Sequence, residues 1–180
     1  MVDLTPARPS RRAVLGAGAA LGAAVPLLVT GTSPAVAAAP QNLPGGSSAA
    51  ARSARSALTF LQQVTDAYAT KGFRLAQSYD DSRISDIGFI YDNALTCMAL
   101  LAAGDVTRAR AIGDALLYAQ DHDPEQDGRL RQSYHVGAFV NADKTPNPGW
   151  EFGLTGTAVG DMAWTGLALA QLAHRTGKAT

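Results

Sequence analysis

The sequence Asp92-Asn93-Ala94-Leu95-Thr96-Cys97-Met98-Ala99-Leu100 recurs 69 residues later as Asp161-Met162-Ala163-Trp164-Thr165-Gly166-Leu167-Ala168-Leu169. Asp, Ala, Thr, Ala and Leu recur in register, and most of the remaining positions are apolar in both copies. A segment that is apolar on nearly every face is typical of a helix buried on all sides. A fixed offset with one such helix in each unit predicts a helical repeat architecture.

The residues around the two copies predict an all-α chain. Apolar spacing and glycine stops predict helices over Ala49–Lys71, Ile90–Ala103, Val106–Gln120 and Ala158–Arg175. Only Gly104 and Asp105 separate the second predicted helix from the third, and Asp105 stands where an N-cap is wanted. These two helices are therefore expected to form an antiparallel hairpin.

One segment has a different pattern. Residues Arg129–Val136 place Leu130, Tyr134 and Val136 in alternation with Arg129, Arg131 and His135. This alternation predicts a short strand or extended arm with one buried and one solvated face.

The first 48 residues have the pattern of an export signal and a leader. Arg8, Arg11 and Arg12 precede the uncharged stretch Ala13–Val29, and small-residue cleavage sites follow at 34–39. The twin arginines and the mild hydrophobicity resemble a twin-arginine signal, predicted over residues 1–37, with a flexible leader over 38–48. The mature protein is then secreted or extracytoplasmic, with the export machinery as a transient partner and no membrane contact after cleavage. The alternative is an uncleaved membrane anchor.

Composition excludes several classes of function. Fifteen basic and fifteen acidic residues among 180 give zero net charge, which argues against a nucleic-acid partner. The single cysteine, Cys97, rules out an intrachain disulfide and lies in an apolar run, so we expect a core residue. Residues 123–128 copy half of a calcium loop but place Tyr134 where the bidentate glutamate is needed, so no metal is expected. No cofactor is expected either.

Four segments together resemble the six-hairpin glycosidase-like superfamily, the (α/α)6 toroids. They are Tyr91-Asp92-Asn93-Ala94-Leu95, Ala102-Ala103-Gly104-Asp105, Asp127-Gly128-Arg129-Leu130 and Gly160-Asp161-Met162-Ala163-Trp164. The resemblance implies that residues 49–180 are part of a ring of helical hairpins whose inner helices converge on a cleft for sugar chains. About two of the six hairpins are present, so the sequence predicts a toroid truncated at its C-terminus. The polypeptide alone is then expected to be inactive and either to oligomerise or to be poorly stable.

A shorter resemblance concerns Ser85-Asp86-Ile87-Gly88-Phe89-Ile90, which is similar to an Asp-x-Gly-Phe element of unsaturated glucuronyl hydrolases. In that family the aspartate is catalytic, which implies a catalytic role for Asp86.

Asp92 and Asp161 stand at the start of the two repeat helices, and their roles allow two interpretations. In the first interpretation both carboxyl groups lie in the sugar cleft. One of them would be a general acid with a raised pKa, and the other would be ionised and act as a base or nucleophile. Alternatively, both cap their helices by accepting bonds from backbone N–H groups.

Aromatic residues are the candidates for stacking against sugar rings. Tyr91, Trp150 and Trp164 are the candidates, with Trp150 expected to be exposed and Trp164 expected to lie more in the core. Glu151 follows Trp150 directly and is a candidate acid/base.

The extended arm carries a second set of candidates. Arg131 could pair with a uronate, while Tyr134 and His135 could remove the proton next to its carboxylate, which is lyase chemistry. The simpler interpretation is a solvated strand face.

The sequence therefore predicts an exported, carbohydrate-active protein that resembles glycoside hydrolases and has a poly- or oligosaccharide as its substrate. The alternatives are a polysaccharide lyase on the same scaffold and a non-catalytic helical module that binds sugars or other partners.

Overall fold

The computed structural model describes residues 46–68, 73–84, 86–149 and 155–177. The predicted signal, the leader up to residue 45, and both Trp150 and Glu151 lie outside the described residues.

Within the described residues the chain is mostly helical, as predicted. Its elements in order are α1 (Ala49–Asp66), β1 (Ile87–Phe89), α2 (Ile90–Ala102), α3 (Val106–Asp121), β2 (Ser133–His135) and α4 (Val159–Thr176). All four predicted helices are present, and α1 ends five residues earlier than predicted. The sequence did not predict β1.

The hairpin between α2 and α3 is confirmed and is closed by hydrogen bonds at the end of α2. Gly104 has a φ of +83°, in the left-handed region that glycine favours. Its N–H donates to the Leu101 carbonyl oxygen at 3.1 Å, and the Asp105 N–H donates to that of Leu100 at 2.8 Å, a Schellman motif. The Asp105 carboxylate then accepts the Arg108 N–H at 3.2 Å and caps α3.

The two repeat helices, α2 and α4, pack against each other more extensively than any other pair of elements. Tyr91 contacts Trp164 near their N-termini. Further along, one groove is lined by residues of both helices, with Met98 and Leu101 on α2 and Leu167 and Ala170 on α4. Residues near the start of α2 therefore lie beside residues near the start of α4, and residues further along α2 lie beside residues further along α4. The two helices run in parallel.

The repeat helices are apolar on most faces, yet α4 is buried on one side only. Thr165, Ala168 and Leu172 are its buried residues, whereas Leu167 is 51% exposed and Val159 is 87% exposed. The reason is that α2 and α3, the helices that α4 packs against, cover only one side of it.

An extended segment, residues 73–80, is attached to the start of α2 through the buried side chain of Asn93. Asn93 Oδ1 accepts the Ala76 N–H at 2.7 Å, and Asn93 Nδ2 donates to the carbonyl oxygens of Ala76 at 3.1 Å and Phe89 at 2.9 Å. The Ser78 N–H donates to the Ile87 carbonyl oxygen at 2.9 Å. The segment is thus fixed against both β1 and α2.

The predicted arm contains β2, which pairs antiparallel with β1 so that Ile87 lies opposite His135 and Phe89 opposite Ser133. Leu130, Tyr134 and Val136 are buried, as the alternation predicts. The prediction of a solvated opposite face is wrong for His135, because β2 is covered on both faces.

The packing of α3 against α4 predicts opposite effects on stability for alanine substitutions at two glycines. A Cβ on Gly113 would lie 2.3 Å from Leu172 Cδ2 in the buried core, so we expect Gly113→Ala to destabilise the fold by about 1–3 kcal/mol. Gly166, on the exposed side of α4, has open space around it, so Gly166→Ala should stabilise by about 0.5–1 kcal/mol. Urea unfolding of both variants measures the difference, and equal effects would contradict this packing.

Candidate functional site

The N-terminal ends of α2 and α4 bring together four of the residues singled out in the sequence. We call Tyr91, Asp92, Asp161 and Trp164 the aspartate corner. Tyr91 and Trp164 meet edge to face, with ring centroids 6.0 Å apart and an angle of 84° between the ring planes. Tyr91 is 42% exposed, whereas Trp164 is partly buried against the core.

Neither aspartate is the N-cap of its helix, so that interpretation is wrong. The N-cap residues are Phe89 and Ala158, and both aspartates lie in the first turn. The Asp161 carboxylate does accept a bond from the Ala158 N–H, the returning half of a capping box. A carboxylate in the first turn also interacts favourably with the helix dipole.

The electrostatic environment of Asp161 favours its protonated form. Burial raises its pKa above the ordinary value, and the negative charge of Asp92 raises it further, while the bond from the Ala158 N–H acts in the opposite direction. A carboxyl group with a raised pKa next to a second carboxylate is the arrangement that general acid catalysis needs.

Asp92 also lines a cleft that runs between α1 and the extended segment 73–80. We call it the aromatic cleft, because Phe60 and Tyr79 lie on its walls and are 56% and 51% exposed. The cleft has two adjoining parts of about 240 and 350 Å³, and Asp92 lies in the larger one. Tyr79 is held by the Phe89 ring, with centroids 5.8 Å apart.

Sequence reasoning missed Phe60 and Tyr79. Phe60 lies outside the apolar stripe of α1, and an aromatic residue outside such a stripe was a signal that could have identified it. Tyr79 lies between the first two predicted helices, where the sequence predicts no helix or strand. Its position depends on the hydrogen bonds of Asn93 and Ser78, which join residues far apart in the sequence.

The structure pairs Asp86 with His135, which the sequence selected for separate reasons. His135 Nδ1 lies 2.8 Å from Asp86 Oδ2, and the Val136 N–H donates to the Asp86 carbonyl oxygen. The His135 side chain is 11% exposed and that of Asp86 is 46% exposed. Asp86 precedes β1, so about 10 Å of strand separates this pair from the start of α2.

Arg131 and Tyr134 have structural partners. Arg131 Nε donates to Asp123 Oδ2 at 2.7 Å, and a second guanidinium nitrogen contacts Asp123 Oδ1. Tyr134 is buried, its hydroxyl oxygen accepts the Arg131 N–H at 2.9 Å, and burial raises its pKa to about 12. Both residues also border a pocket of about 400 Å³ between residues 123–125 and 141–148.

Three further residues singled out in the sequence are Cys97, Trp150 and Glu151. Cys97 is a core residue, as predicted, and burial raises the pKa of its thiol to about 12. The Gly149 N–H donates a hydrogen bond to the Ser133 carbonyl oxygen on β2. The next two residues, Trp150 and Glu151, lie outside the described residues. Among the residues that the structure describes, no group of three or more His, Cys, Asp or Glu side chains could hold a metal ion.

The chain was compared with protein-family models, with curated proteins and with solved structures, and none of the three comparisons found a match. No described helix has both the length and the apolar character needed to cross a membrane.

The Arg131–Asp123 pair leads to a prediction about stability. The two side chains are 15% and 2% exposed, so Arg131→Ala would leave a buried carboxylate without its partner. We expect a loss of about 3–5 kcal/mol in the free energy of unfolding. The control is Arg129→Ala, which removes the more exposed pair with Asp127 and should have little measurable effect. A small loss for Arg131→Ala would show that this pair is not structural.

The aspartate corner leads to a prediction about ionisation. Because the charge of Asp92 helps to raise the pKa of Asp161, Asp92→Asn should lower it, as measured by NMR titration of the carboxyl carbon. A raised pKa means that ionised Asp161 opposes folding, and this cost is absent at low pH. Asp161→Asn should therefore be at least as stable as the wild type at pH 7, with the difference vanishing as the pH falls below the ordinary aspartate pKa. A lower melting temperature at pH 7 would instead identify a structural role for Asp161.

Proposed function

We propose that this chain belongs to a carbohydrate-active protein that hydrolyses glycosidic bonds, with its site at the aspartate corner and the aromatic cleft. The observation that carries the proposal is the meeting of Asp92 and Asp161, from two copies of one sequence repeat, in a setting that raises the pKa of one of them. Two carboxyl groups with different ionisation are the machinery that glycoside hydrolysis uses.

The proposed mechanism assigns each carboxyl group a role. Asp161, with its raised pKa, is the general acid that donates a proton to the leaving glycosidic oxygen. Asp92 is the partner carboxylate, acting as base or nucleophile. Tyr91 and Trp164 lie beside these groups and are proposed to stack on the apolar faces of the sugar rings.

We further propose that the four described helices are part of an (α/α)6 toroid. The parallel packing of α2 and α4 and the antiparallel hairpin of α2 and α3 support this arrangement, because inner helices of a toroid are parallel and each belongs to a hairpin. Export by the twin-arginine route, with cleavage near residue 37, is part of the same proposal and rests on the sequence of residues 1–39.

A polysaccharide lyase is the alternative, and the bond between His135 and Asp86 favours it, because the carboxylate could orient the imidazole as a base. Two observations weigh against it. The Arg131 guanidinium, expected to bind a uronate, is paired with Asp123, and Tyr134 is buried with a raised pKa. A lyase would release an unsaturated product that absorbs ultraviolet light, and a hydrolase would not.

Binding to the aspartate corner can be measured through Trp164. The chain has two tryptophans, so in a Trp150→Phe variant the fluorescence comes from Trp164 alone. We expect titration with a neutral oligosaccharide such as cellohexaose to change this fluorescence, and Tyr91→Ala to weaken the binding by roughly tenfold. Asp161→Asn should preserve this binding and abolish any hydrolysis that the parent protein shows on the same oligosaccharide.

The control variant is Trp164→Phe, in which fluorescence reports on Trp150 instead. If no oligosaccharide changes the Trp164 signal, or if Tyr91→Ala binds as tightly as its parent, the proposed function is wrong.

A further inference from the structure

The walls of the aromatic cleft carry negative charge and no described positive charge. Asp80 and Asp92 are on its walls, and no described residue that lines it is basic. The other described residues that line the cleft are uncharged.

The arginines nearest to the cleft in the sequence are paired with other carboxylates. Arg74 lies 2.8 Å from Asp66, and Arg83 lies 3.1 Å from Asp81. Arg83 holds the pKa of Asp81 below its ordinary value, so that carboxylate stays ionised beside its partner. Their positive charges are therefore compensated.

The uncharged part of the wall suits a sugar ring. Phe60 and Tyr79 expose about half of their surface and present apolar faces to the cleft. Such faces pack against the C–H groups of a pyranose, while the amide of Gln63 on one wall and the hydroxyl of Ser78 on the other supply polar groups.

We infer that this cleft selects sugar chains without acid groups, that is, neutral or amino-substituted oligosaccharides. The inference rests on the proposed function and adds the charge class of the substrate. A uronate or sulfate entering the cleft would lose hydration, meet two carboxylates and find no cationic partner among the lining residues that the structure describes. A neutral sugar avoids that cost, and an amino sugar gains attraction to Asp80 and Asp92.

The test compares three hexasaccharides on the full 180-residue chain: cellohexaose, the chitosan hexamer and the galacturonate hexamer. Isothermal titration calorimetry at pH 6 should detect the first two and not the third. Binding of the chitosan hexamer should weaken as salt is added, because salt screens the attraction between exposed charges. Phe60→Ala should weaken the binding of cellohexaose by roughly tenfold if the cleft is where it binds.

A charge-altering variant makes the test specific to the cleft. Gln63 and Gln171 are both exposed glutamines on helices, but only Gln63 lines the cleft. Gln63→Arg should allow the galacturonate hexamer to bind, whereas the matched control Gln171→Arg should not.

The outcomes separate this inference from the proposed function. If the wild-type chain binds the galacturonate hexamer as tightly as cellohexaose, the charge selection is wrong while the proposed function stands. If Gln63→Arg and Gln171→Arg behave alike toward the galacturonate hexamer, the charge selection is wrong as well. If none of the three hexasaccharides binds, the proposed function itself is overturned.

Discussion

The buried amide of Asn93 is the interaction on which the arrangement of the candidate site depends. It forms three hydrogen bonds, two with the backbone of Ala76 and one with the Phe89 carbonyl oxygen. Through them the segment that carries Tyr79, which forms one wall of the aromatic cleft, is held beside the helix that carries Asp92. Without that amide, the buried N–H and carbonyl groups of Ala76 would lose their hydrogen-bond partner. Buried backbone groups without a partner lower the free energy of unfolding.

The sequence predicted those parts of the structure that local chemistry controls. Gly104 is compatible with the left-handed turn and Asp105 can cap a helix, so the hairpin of α2 and α3 could be predicted from two residues. The recurrence of the Asp-x-Ala-x-Thr pattern indicated that α2 and α4 are equivalent, and the structure packs them side by side in parallel.

Contacts between distant segments could not be predicted from the sequence. Alternation indicated that Arg131 and His135 face solvent, but a strand can be covered on both faces when other segments supply a partner for each polar group. Asp123 comes from the acidic turn and Asp86 from the segment before β1, and neither pairing has a sequence signal. The aromatic cleft was missed for the same reason, since its two walls are about twenty residues apart in the chain and meet only in the folded structure.

The separation of 69 residues between the repeat helices has a consequence for the order of folding. The hairpin of α2 and α3 closes a loop of three residues, so it costs little chain entropy and can form early. The contact between α2 and α4 must instead close a loop of about seventy residues that contains α3, β2 and the turns between them. We expect the aspartate corner to be assembled late in folding, because its two carboxyl groups come from the opposite ends of that long loop.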